Sequence, residues 1–234
     1  MIVARLTADT GPTASTPEAW AAHWSEARQR GGAQRFFSLY RKLVFARTVR
    51  FFINRYFPRQ GIFVEAGAGT AETSVRIDKL GGARRLVAVD FVVPILRRCS
   101  RVMDAHVGGD IFRLPLRAAG VDGLWNVGVM EHLTHAQIDQ AMAEFHRVLR
   151  PGAPLLLLWP GATSVPQKLL RAIEALVNRR RTDAPFHFHP PEISQLRSAA
   201  EAEAILTRNG FRLVHIDHGP RSLFAFKTIV GVKS

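Results

Sequence analysis

Cysteine is almost missing from this sequence. Cys99 is the only one in 234 residues, so no disulfide can form within the chain. That usage predicts a reducing, cytoplasmic setting. No apolar stretch approaches the roughly 20 residues that a membrane span needs. The longest, 154–159, predicts a buried strand. The opening Met1-Ile2-Val3-Ala4-Arg5 is too short an apolar run for a signal peptide. No repeat is visible, and only 7–15, rich in small residues, predicts a loose tail. Carboxylates are scarce as well: 19 Asp and Glu stand against 32 Lys and Arg, for a net charge of +13. Such an excess suits an anionic partner, whether nucleic acid, a membrane surface or a phosphorylated substrate. It suits solvated arginine faces equally well.

What is present is globular. Hydrophobic residues make up 47% and charged residues 22%, enough for the full core of a single α/β domain. The first 60 residues predict two helices. One spans 16–29, with Thr16 as cap and Pro17 at the first helical position, and the other spans 35–56. The second interleaves aromatics with arginines, as a helix buried against the domain, a lid or a membrane-surface helix would. From Gly61 the pattern alternates. Strands are expected at 62–64, 85–89, 105–107, 123–127 and 154–159, and helices at 70–79, 93–101 and 135–149. This βαβα order implies a parallel sheet with right-handed crossovers. Beyond Pro160, helices are expected at 165–181 and 199–209, and a His- and Pro-rich loop at 186–191. Strands at 211–217 and 223–232 should close an antiparallel edge hairpin.

The informative stretch is Val64-Glu65-Ala66-Gly67-Ala68-Gly69-Thr70-Ala71. A strand ends in an acid, and a Gly-x-Gly turn follows that lets a ligand approach the backbone. Glu72 stands where a dinucleotide fingerprint needs its third glycine, and carboxylates at Glu65 and Glu72 would repel a pyrophosphate. The loop suits a ligand with a cationic end. A second strand ends in Asp90, 25 residues after Glu65, and a carboxylate there can accept both hydroxyls of a ribose. After the third strand, Asp110 can accept from an adenine amino group and Ile111 can cover the ring.

These segments resemble class I S-adenosylmethionine-dependent methyltransferases, in particular the small-molecule group that includes quinone-biosynthesis enzymes. The resemblance runs from Val64 to Trp159. It rests on Glu65–Thr70, Val89-Asp90, Gly109-Asp110 and Leu114-Pro115-Leu116. It continues in Val121-Asp122, Val129-Met130-Glu131-His132-Leu133 and Phe145 to Gly152. Ala71 in place of a frequent third glycine, and the bulky Trp125-Asn126, depart from the pattern. The resemblance implies an α/β, Rossmann-like seven-stranded and mostly parallel sheet with an antiparallel last strand and helices on both faces. It implies S-adenosylmethionine as cofactor and S-adenosylhomocysteine as product. Residues 1–60 would form an amino-terminal lid. Residues 61–234 would form the methyltransferase domain, with an inserted segment at about 161–195.

It also assigns roles. Glu65 would orient the loop near the methionine amino group, and Ala66, Gly67 and Gly69 would pack their backbone on the cofactor. Asp90 would hold the ribose, Phe91, Asp110 and Ile111 the adenine, and Val127 would lie near the sulfonium. His132 is the candidate general base, weighed against a simple packing role. Trp24, Tyr40, His187 and His189 are candidates for the acceptor pocket. Two histidines alone do not make a metal site, and no further ligand offers itself. The expected acceptor is a small molecule, lipophilic or anionic, with a membrane-surface or lipid-linked substrate included. A nucleic-acid acceptor fits less well: the Asn-Pro-Pro-aromatic motif is missing after the fourth strand, and Cys99 is badly placed for a nucleophile. A cofactor-binding module without activity is the third alternative. Oligomeric state is not legible.

Overall fold

The computed structural model describes Trp20, residues 38–161, six residues between 172 and 179, and residues 192–234. Seven strands form one sheet: β1 (Gly61–Ala66), β2 (Arg84–Asp90), β3 (Ala105–Gly108), β4 (Gly123–Val127), β5 (Pro154–Pro160), β6 (Phe211–Asp217) and β7 (Phe226–Lys233). Their order across the sheet is β3-β2-β1-β4-β5-β7-β6. The first five pair in parallel, and β7 runs antiparallel to both β5 and β6. The chain builds outward from β1 in one direction, then resumes at β4 in the other. The loops after β1 and β4 therefore diverge, opening the crevice at the carboxyl edge where such sheets take ligands.

Strand burial explains the apolar runs. Every residue of β5 is buried, as a central strand covered on both faces must be. Leu155, Leu157 and Trp159 point into one core layer, and Leu156 and Leu158 into the other. On the first face, α3 (His135–Val148) packs Ile138, Met142 and Phe145, and α4 (Ala199–Arg208) packs Ile205 and Leu206. A capping box between Thr134 and Gln137 starts α3. The opposite face takes α1 (Ala46–Tyr56), which buries Val49, Phe52 and Ile53. A π-helical turn, Arg41–Phe45, leads into α1. The last described helix, α2 (Val93–Leu96), is a single turn.

Arg84 fixes the far end of α1. Its side chain is fully buried and donates to the carbonyl oxygens of Pro58 (3.0 Å), Ile53 and Phe57 and to Asn54 Oδ1 (2.7 Å). A guanidinium thus satisfies the carbonyls that a helix end leaves free.

Three sequence expectations change. Residues 70–79 form no helix but a chain of tight turns, with Ala71, Ser74 and Ile77 amides donating to the carbonyls of Ala68, Ala71 and Ser74. Gly69 and Ala71 adopt φ of 52° and 50°, which an α-helix cannot contain. The expected helix at 93–101 stops as a regular element at Leu96. The last strand starts at Phe226, because a 3-10 turn (Pro220–Ser222) and two left-handed residues, Leu223 and Phe224, come first. The helix expected at 16–29, the loop at 186–191 and most of the 165–181 helix lie outside the described residues. No described helix is long and apolar enough to cross a membrane.

Candidate functional site

Asp90 ties three loops together. At the end of β2, its Oδ2 accepts the Gly69 amide (2.8 Å) and its Oδ1 accepts the Val92 amide (2.8 Å). Its carbonyl accepts the Gly109 amide (3.1 Å). Burial raises its carboxyl above the ordinary range, while the two amides pull it back. A carboxylate offers about four lone-pair sites, so each oxygen keeps capacity for a ligand hydroxyl.

Glu65 is buried below the loop. Its Oε1 accepts Thr73 Oγ1 (2.8 Å), its Oε2 accepts Ser74 Oγ (2.7 Å), and Trp125 Nε1 donates to Ser74 Oγ (3.1 Å). Burial raises Glu65 to about 7, against those hydrogen bonds. Gly67 turns above it with φ of 71°, and a Cβ there would meet Val129 Cγ2 at 2.6 Å. Only glycine fits that close approach of the β1 and β4 loops. Asn126 Nδ2 donates to the Ala66 carbonyl (2.6 Å), while its buried Oδ1 has no partner among the described residues.

Asp110 is exposed and closes a turn on the Phe112 amide (2.9 Å); Ile111 beside it is buried, and Phe91 and Val127 are half-buried. His132 occupies a 3-10 turn (Met130–His132) before the α3 cap, not the helix start. Trp20 meets its ring edge-on with centroids 5.0 Å apart, and Glu131 Oε1 lies 3.8 Å from its Nε2. Burial, with the Glu192 charge adding, lifts Glu131 to about 8. The Glu131 carbonyl accepts the Ile193 and Ser194 amides, so that segment lies against this turn. Tyr40 stands apart from His132 in sequence, with a buried hydroxyl that has no partner among the described residues and a ring 4.8 Å from Phe45. Trp24, His187 and His189 lie outside the described residues.

Residues 64–157 match the family model described as a methyltransferase domain. This stretch of the chain carries a methyltransferase domain. The fold agrees. A methyltransferase of Thermotoga maritima superposes with a TM-score of 0.63 at 16% identity, over 94% of this chain and 100% of that one. Magnesium protoporphyrin IX methyltransferase of Synechocystis, with S-adenosylhomocysteine bound, gives 0.65 at 13% identity, over 93% and 98%. The 1,6-didemethyltoxoflavin-N1-methyltransferase of Burkholderia thailandensis gives 0.60 at 16%, over 96% and 93%. No curated protein matches the chain in sequence.

The residues at this edge of the sheet fit S-adenosylmethionine. Asp90 keeps free lone pairs at a strand end, Gly67 leaves a cradle that a Cβ would fill, and Asn126 Oδ1 is an orphaned acceptor under the loop. Burial pushes the Cys99 thiol up to about 12, unlike the thiolate of a cysteine nucleophile.

Sequence reasoning gave Glu72 only as a residue unfit for a pyrophosphate and missed its contacts. Glu72 accepts Ser38 Oγ (2.5 Å) and pairs with Lys42 (3.3 Å), binding the helix that starts at Ser38 to the loop after β1. It also missed Asn126, Thr73 and Ser74. A polar residue inside the apolar run Leu124-Trp125-Asn126-Val127 was the available signal for the first.

Proposed function

We propose that the enzyme, acting in the cytoplasm, methylates an oxygen or carbon of a small, lipophilic or anionic acceptor. The acceptor enters beside the carboxyl ends of β4 and β5. One observation carries this reading: Trp20, from the amino-terminal region, lies on His132 in the turn after β4. Aromatic cover over a histidine at that edge suits a flat or apolar acceptor.

When bound, S-adenosylmethionine supplies an already activated methyl group. The chain's work is then positioning, desolvation and proton transfer. Asp90 would accept the ribose hydroxyls. Phe91, Asp110 and Ile111 would hold the adenine, and Val127 would lie on the side of the sulfonium. Glu65 holds Ala66, Gly67 and Gly69 in the shape that packs on the methionine part. His132 Nε2 accepts the acceptor's proton, with the Glu131 carboxyl beside it. Trp24, Tyr40, His187 and His189 line the acceptor pocket, with residues 1–60 as its lid and about 161–195 as an inserted wall.

The test is transfer of labelled methyl from S-adenosylmethionine to a panel of phenols, quinols and carboxylic acids, compared with transfer RNA and DNA. Turnover on a small molecule that His132→Gln slows, with S-adenosylhomocysteine affinity unchanged, supports the reading. Turnover confined to nucleic acid overturns it.

A further inference from the structure

Large apolar side chains are exposed in one place more than elsewhere. Leu39, Leu43 and Phe51 line the outer side of the π-helical turn and α1, and Leu223 and Phe224 sit in the loop between β6 and β7. The loop is fastened to the helix. Thr48 Oγ1 donates to the Arg221 carbonyl (2.8 Å), and the Arg221 guanidinium lies 4.0 Å from the centroid of the Phe51 ring.

Leu223 and Phe224 are held at φ of 51° and 57°. Bulky residues in that region are strained. Backbone bonds enforce the shape: Leu223, Phe224 and Ala225 amides donate to the carbonyls of Pro220, Gly219 and Ser222. The strained loop leaves both side chains about half exposed, at 50% and 48%, so it does not serve core packing.

The charge around this patch has one sign. Residues 38–60 hold six Arg and Lys and no carboxylate, and 218–227 hold Arg221 and Lys227 and none. Arg41 and Lys42 are taken up by Glu72. Exposed Arg47, Arg50 and Arg221 pair with no described carboxylate. Two copies facing each other here would bring like charges together. A nucleic acid would satisfy the arginines but leave the leucines and phenylalanines in water.

We propose that this face docks on an anionic lipid bilayer, with Leu223 and Phe224 entering the interface and Arg47, Arg50 and Arg221 at the headgroups. Such a surface combines apolar insertion with about 1 kcal/mol per cation near anionic lipid. The loop feeds Phe226, which pairs with Pro160 at the carboxyl end of β5. Docking therefore presents the sheet edge where the proposed acceptor site lies. The docking itself rests on the surface alone.

Co-sedimentation of the full chain with vesicles, without cofactor or acceptor, tests it. Vesicles of phosphatidylcholine alone are compared with vesicles containing phosphatidylglycerol. Binding is expected only to the anionic vesicles, and should weaken with salt. Arg47→Ala with Arg50→Ala should weaken it about 25-fold, at roughly fivefold per cation. Leu223→Asn with Phe224→Gly should lose at least tenfold. Asn and Gly accept the left-handed backbone, so this variant keeps its fold and its S-adenosylhomocysteine affinity. Absence of binding to anionic vesicles overturns the proposal. So does equal binding by the Leu223/Phe224 variant, or a duplex DNA probe that binds both proteins more tightly than vesicles do. Failure of methyl transfer to small molecules would leave the vesicle result standing, and the reverse holds.

Discussion

The amide of Gly69, in the loop after β1, donates to the carboxylate of Asp90 at the end of β2 (2.8 Å). The residue expected to hold the ribose therefore also sets the loop that packs on the rest of the cofactor. Asp90→Ala should weaken S-adenosylhomocysteine binding by roughly 1–3 kcal/mol through lost hydroxyl contacts alone. Asp90→Asn should also weaken binding, because one amide oxygen cannot serve both Gly69 and Val92. Titration calorimetry reads both. Parent-like affinity in a folded Asp90→Ala would remove Asp90 from the cofactor site.

Glu131 predicts a pH dependence of stability. Its folded value, about 8, lies above the usual 4.5, so the folded state holds a proton that the unfolded state releases. Its favourable contribution is complete below about 4.5 and fades as pH rises towards 8. Glu131→Gln has no such proton. The melting temperature of the parent minus that of Glu131→Gln should fall steadily between pH 5 and 8. A flat difference would mean that Glu131 ionises normally.

Removal of residues 1–30 takes away Trp20 but leaves the described helix from Ser38 onward and its bonds to Glu72. Methyl transfer should be abolished while cofactor affinity stays within about threefold, a difference under 1 kcal/mol. Normal turnover by the truncated protein would reduce the Trp20–His132 contact to packing.

Arg84→Met should destabilise the fold by about 2–4 kcal/mol. It strips hydrogen bonds from the carbonyls of Phe57 and Pro58 and one of the two held by the Ile53 carbonyl, and leaving a buried group unpaired costs about 1–3 kcal/mol before relaxation. Urea unfolding measures it as a lower midpoint at unchanged slope. A midpoint within error of the parent would show that water replaces the guanidinium.

The sheet was legible because its strands carry local marks. Leu155–Leu158 is an uninterrupted apolar run, and β1 and β2 each bring an acid, Glu65 and Asp90, to their carboxyl ends. The 70–79 helix was misread because its undoing is not local. Thr73 and Ser74 are drawn to Glu65, eight and nine residues earlier, and Ala71 takes a conformation that its residue type rarely signals. The apolar pair Leu223-Phe224 likewise suggested strand, where backbone bonds to Gly219 and Pro220 impose a turn. Glu72 was opaque because its meaning lies in Ser38 and Lys42, more than thirty positions away.

Glu72 also joins two binding events. It grips the helix that begins at Ser38, and it follows directly on the loop that carries Gly67 and Gly69. A cofactor that stiffens this loop would also stiffen its anchor for the helix, and an acceptor held where we propose would act back on the loop. Thermodynamic reciprocity requires each ligand to change the other's affinity by the same factor. The carboxylate of Glu72 is thus where an order of substrate addition would be written into the protein.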